Sequence, residues 1–131
     1  MNSLSLHFNK AIKENRCHPL KICKNISISH NLFVDDIIMF GILCRFTLLC
    51  FYEILKNFQK ATGLQINSAN SVIFHNDIGE EEVEWSSALF GIKAQSISLG
   101  IKYLGFQIKE NGYSKVDWQW IPDRYYKKIS V

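Results

Sequence analysis

The chain has 131 residues, 47% of them hydrophobic and 13% aromatic, with a formal net charge of +3. This composition excludes a disordered polar chain and fits one small globular domain or a piece of a larger one. Its lysines and arginines are scattered, which permits a phosphate-bearing partner without demanding one; ordinary solubilising charge is the plainer explanation.

The four cysteines, Cys17, Cys23, Cys44 and Cys50, form no C-x-x-C pair. The segment Met1-Asn2-Ser3-Leu4-Ser5-Leu6-His7 lacks the basic-then-apolar pattern of a secretory leader, so an intracellular, reduced protein is expected. Cys17, His18, Cys23 and His30 match no common zinc spacing. The apolar run over residues 37–52 is shorter than the ~20 residues of a membrane span. Gly41 and Arg45 interrupt it, and Asp35, Asp36 and Glu53 bound it, so a strand, a turn and a buried helix are expected and no membrane partner.

In chain order, Leu4, Phe8, Ala11 and Ile12 share one face of a helix over residues 3–15. His18-Pro19 breaks it. Ile22, Ile26, Ile28 and Leu32 alternate with polar residues and read as strand. Asp35-Asp36 is then the turn, residues 37–40 the returning strand, and Gly41 its end. Leu48, Phe51, Leu55 and Phe58 mark the clearest helix, stopped by Thr62-Gly63. Residues 64–67 and 71–74 read as extended. Glu80-Glu81-Glu82, after Asp77-Ile78-Gly79, opens a helix that Gly91 ends. Residues 103–108 read as one strand, Asn111-Gly112 as a hairpin turn, and the chain from Ile121 onward as helix. The whole suits an α+β domain with an antiparallel hairpin against helices.

The hairpin carries the chemistry. Asp35 and Asp36 sit between two apolar, strand-prone runs. Magnesium takes hard oxygen ligands, often one or two carboxylates plus substrate phosphates. Two-metal phosphoryl transfer needs carboxylates from more than one segment. Aspartate is also common in turns because its side chain bonds nearby backbone, so a solvated turn is the alternative for this pair alone.

The string Ser29-His30-Asn31-Leu32-Phe33-Val34-Asp35-Asp36, followed by Ile37-Ile38-Met39-Phe40, resembles the F/Y-x-D-D box of reverse transcriptases. Its flanks resemble the form found in non-LTR (LINE) retrotransposons, especially those of plants. Further segments agree in order. Leu55 and Phe58 leading into Thr62-Gly63-Leu64-Gln65-Ile66-Asn67 resemble the helix ending in "G-L-x-I-N". Lys102-Tyr103-Leu104-Gly105-Phe106 resembles the later "K-Y-L-G" grip segment. The resemblance implies a right-hand polymerase palm over residues 1–110 and the start of a thumb or connection region over 111–131. It implies RNA-directed DNA polymerase ancestry, an RNA/DNA primer–template partner and Mg2+. By matching position Asp35 and Asp36 would be catalytic metal ligands. Phe33, Val34, Tyr103, Leu104 and Gly105 would lie in the primer region.

The chain also departs from that family. Before Asp35 the only carboxylate is Glu14, so the aspartate of an earlier palm strand has no match, and neither does the fingers region. Asn70 stands where the family places a lysine near the nucleotide phosphates, and an amide carries no positive charge. The expectation is therefore a reverse transcriptase fragment that is catalytically incomplete, missing palm and fingers segments. The alternative is a non-catalytic module that binds nucleic acid or docks onto a palm. Lys102, Lys109, Lys115, Arg124, Lys127 and Lys128 would meet the phosphates.

Overall fold

The computed structural model describes residues 2–76, 78–103, 106–109 and 112–129. The chain is α+β and divides into two compact units. The first comprises Met1–Ser71 with Ala88–Gly91, the second Val72–Ser87 with Ile92–Val131.

In the first unit, α1 (Asn2–Lys13) buries Leu4, Phe8 and Ala11 completely, one stripe at helical spacing. It ends where Asn15 turns left-handed at φ 55°. Arg16 N–H then donates to Ala11 O and Asn15 N–H to Ile12 O, the paired bonds of a Schellman cap. Beyond Pro19 the expected single strand is three. β1 (Leu20–Cys23) and β2 (Ile26–Ile28) form one antiparallel hairpin with an irregular register between Lys21 and Cys23. β3 (His30–Phe33) belongs to the next.

β3 pairs antiparallel with β4 (Asp36–Met39), and Phe40 N–H extends the ladder to Ser29 O. The helix that follows, α2 (Arg45–Thr62), buries Thr47, Cys50, Phe51, Ile54, Leu55 and Phe58. That stripe is broader than expected and shifted, with Leu48 only half-buried. Cys44 caps its N-terminus by accepting from Thr47 N–H. Gly63 closes it at φ 74°, a left-handed position that glycine takes without strain. Gly41 has a different reason: a Cβ there would sit 3.1 Å from the Phe51 ring and 3.2 Å from the Thr47 methyl. Residues 64–67, expected as extended, have no regular structure and lead to one 3-10 turn, Ser68–Asn70.

The core of this unit joins Leu4, Phe8 and Ala11 of α1 to Cys50, Phe51, Ile54, Leu55 and Phe58 of α2, with Cys17 between them. Phe8 meets Phe51 edge to face at 5.6 Å. Leu32, Ile37 and Met39 pack on this core and so seat the β3–β4 hairpin.

In the second unit, β5 (Val72–His75), α3 (Glu80–Phe90, its last turn counted with the first unit) and β6 (Lys93–Ser96) make a parallel pair with a helical crossover. The sequence reading has no counterpart for β6. The stretch expected as one strand is instead β8 (Phe106–Ile108) folded back on β7 (Ile101–Tyr103), with Tyr103 opposite Phe106. Two short helices follow, α4 (Lys115–Trp118) and α5 (Trp120–Ile129). Phe106 packs on Trp118 and Trp120 at 6.2 and 5.1 Å. Asp77 and the proposed turn residue Asn111 lie outside the described residues.

Candidate functional site

β3 alternates strictly between half-buried and exposed residues, while on β4 only Asp36 is exposed. His30 and Leu32 share one face with their partners Met39 and Ile37, and that face meets the core. The other face carries Asn31, Phe33, Asp36 and Ile38. Because Phe33 pairs with Asp36, the two-residue loop is Val34-Asp35 rather than the expected Asp35-Asp36. Asp35 sits at the tip. Asp36 is the first residue of the returning strand, on the outward face.

Val34 holds φ at 55°, a left-handed conformation that a β-branched residue adopts only under strain. Its side chain is 78% exposed and that of Phe33 50%, so no packing of their own secures them. Both carboxylates are exposed, and among the described residues neither has a hydrogen-bond or ion-pair partner. The tip presents two free carboxylates on a support anchored from below.

That arrangement fits part of a metal site. Among the described residues no group of three or more His, Cys, Asp or Glu side chains converges on a point that could hold a metal. The upstream carboxylate, Glu14, is already engaged by Arg16 at 2.8 Å and by Lys10 at 3.9 Å. Cys17 is buried and Cys23 exposed, so the thiols named with His18 and His30 form no zinc cluster either. Burial beside Cys50 pushes the Cys17 thiol up to about 12, the behaviour of a core residue.

The remaining positions fall elsewhere. Asn70 is exposed at the end of the 3-10 turn, where its N–H donates to Asn67 O. Tyr103 ends β7, and its hydroxyl has no hydrogen-bond partner among the described residues. Leu104 and Gly105 lie outside the described residues. A cleft of about 110 Å³ between α2 and the segment after it is lined by Tyr52, Lys56, Gln59, Ser68 and Phe90. It is well below the size of a small-molecule site. No helix among the described residues is long and apolar enough to cross a membrane.

One feature escapes the sequence reading. His30 Nε2 lies 2.8 Å from Ser5 Oγ, and Nδ1 lies 2.7 Å from Ser29 Oγ. Its ring stacks on Phe8 at 4.9 Å. The alternation of the strand places His30 inward, which was the available signal; the partner on α1, 25 residues away, was not readable.

Comparison with known proteins returns no matching family model, no matching curated protein and no matching solved structure.

Proposed function

We propose that the chain is a palm-type segment descended from the reverse transcriptase of a plant-type LINE retrotransposon, and that by itself it does not polymerise. The observation that carries this reading is the pair of free carboxylates at the tip of a core-anchored hairpin, within a string resembling the F-x-D-D box. Asp35 and Asp36 would hold Mg2+ together with a carboxylate from another segment, and the ion would neutralise charge on a transferring phosphoryl group. Phe33 and Val34, exposed beside them, suit contact with a primer end. Asn70 in the lysine position removes a cation from the phosphate side.

A primer-extension assay with Mg2+ and an RNA template tests both parts. The expected outcome is no extension above the no-protein level. Robust extension that Asp35→Ala abolishes would support the ancestry and overturn the inactivity.

A second reading rests on α5. Arg124, Lys127 and Lys128 fall at i, i+3 and i+4, on one exposed face, with the Tyr125 ring exposed beside them. Cations interleaved with an aromatic suit single-stranded nucleic acid, by phosphate contact and base stacking. Binding of a labelled oligonucleotide should weaken steeply between 50 and 200 mM salt, about twentyfold for three phosphate contacts. Absence of binding at low salt removes this reading.

A further inference from the structure

We propose that His30 is a pH-operated latch that fixes the Asp35–Asp36 hairpin to α1 when neutral and releases it when protonated. The geometry is a three-way attachment. Ser5 comes from α1, Ser29 from the residue before β3, and Phe8 from the core. His30 is the inward residue at the base of the hairpin, opposite Met39. The hairpin reaches the core elsewhere only through the apolar side chains of Leu32, Ile37 and Met39 among the described residues.

The proton inventory decides the direction. Neutral imidazole donates from one nitrogen and accepts at the other, and two hydroxyls satisfy either tautomer. Imidazolium donates from both, so both hydroxyls must accept and turn their own protons elsewhere. Among the described residues the surroundings supply no counter-charge. From α1 the ring meets Ser5 and Phe8, from its own strand end Ser29, and across the ladder Met39. The core beneath contributes the thiols of Cys17 and Cys50, of which Cys17 is held protonated. His7, Lys10 and Lys13 of α1 are exposed, with His7 Nδ1 turned to Ser3 O. Partial burial accordingly lowers the His30 pKa from its ordinary value. Its neutral form therefore stabilises the fold above the ordinary histidine pKa of about 6.5, and that contribution is lost as pH falls through the lowered one.

The latch does not depend on the ancestry proposed above. The test is a backbone NMR titration of the whole chain from pH 7.5 to 5, reading the amides of Val34, Asp35 and Asp36 with the His30 ring protons. The hairpin amides should shift with the ring's own midpoint, below about 6.5. His30→Phe keeps a ring on Phe8 and should leave those amides flat over the same range. Flat amides in the natural chain, or an inflection that persists in His30→Phe, would overturn the proposal. Should His30→Phe not fold, Ser5→Ala serves. Loss of one hydrogen bond should speed hydrogen exchange of the hairpin amides at pH 7.5 by roughly fivefold. An unchanged rate counts against the latch.

Discussion

Val34 is where the site's geometry is set against local preference. Its φ of 55° is a conformation that costs a β-branched residue on the order of 1–3 kcal/mol. Its side chain gains little in return, being largely exposed. Val34→Gly should therefore stabilise the chain, by about 1 kcal/mol after glycine's greater loss of chain entropy. A thermal melt followed by circular dichroism should rise by about 3 °C. An unchanged or lower midpoint would mean that the turn is relaxed.

The same residue shows what was legible and what was not. Hydrophobic alternation correctly places a hairpin around the aspartates. It does not choose the turn, because pairing Phe33 with Asp36 or Val34 with Ile37 leaves Leu32, Ile37 and Met39 on one face in both registers. Turn chemistry then favours Asp35-Asp36, since valine is a poor left-handed residue. The adopted register is the one that continues to Phe40 N–H and Ser29 O and keeps Val34 out of the core, and no local signal encodes it.

Among the elements, the longer helices α1, α2 and α3 were readable because of their period and end signals, whereas α4 (Lys115–Trp118), a single turn, was not. α2 carries an unbroken apolar stripe and stops at Gly63. α3 begins with three glutamates, which favour the positive helix end. The short strands were not. Tyr103-Leu104-Gly105-Phe106 reads as extended, yet its strand residues belong to two antiparallel partners. Lys93–Ser96 becomes a strand only by pairing with Val72–His75 through α3.

The attachment of α4 to β8 yields a pH prediction. Lys109 Nζ lies 2.8 Å from Asp117 Oδ1, Ser114 N–H donates to Asp117 Oδ2, and Ser114 with Asp117 forms a capping box. The bond from Lys109, then that from Ser114, hold the Asp117 carboxyl below its ordinary value. A depressed carboxyl pKa stabilises the fold above the unfolded value of about 3.9 and ceases to do so as pH falls through the folded one. Tryptophan emission from Trp118 and Trp120, which touch Phe106, should change in an acid step below about pH 4. In Asp117→Asn the neutral-pH spectrum should already be altered and the step absent. An identical step in the variant would assign it to another carboxylate.

At the scale of the whole molecule, the α+β class was legible from the mixture of periods, and no membrane-length helix is found among the described residues. The division into two units was not, because no proline- or glycine-rich linker marks it. The exposed apolar side chains Ile22, Ile26, Ile42 and Phe46 in the first unit leave apolar surface in water, an aggregation liability. The primer-extension outcome belongs to this scale as well: polymerisation needs carboxylates from several segments, and this chain places two at one tip.

Among the described residues the strands pair only in twos, and this bears on how the chain finds its structure. β1 with β2, β3 with β4 and β7 with β8 each join neighbours separated by two residues, so each ladder closes a minimal loop and loses little chain entropy. Only β5 and β6 must wait for residues 76–92 to form a crossover. Such local pairing keeps the closure of these three ladders cheap, and the parallel pair is the slowest ladder to close.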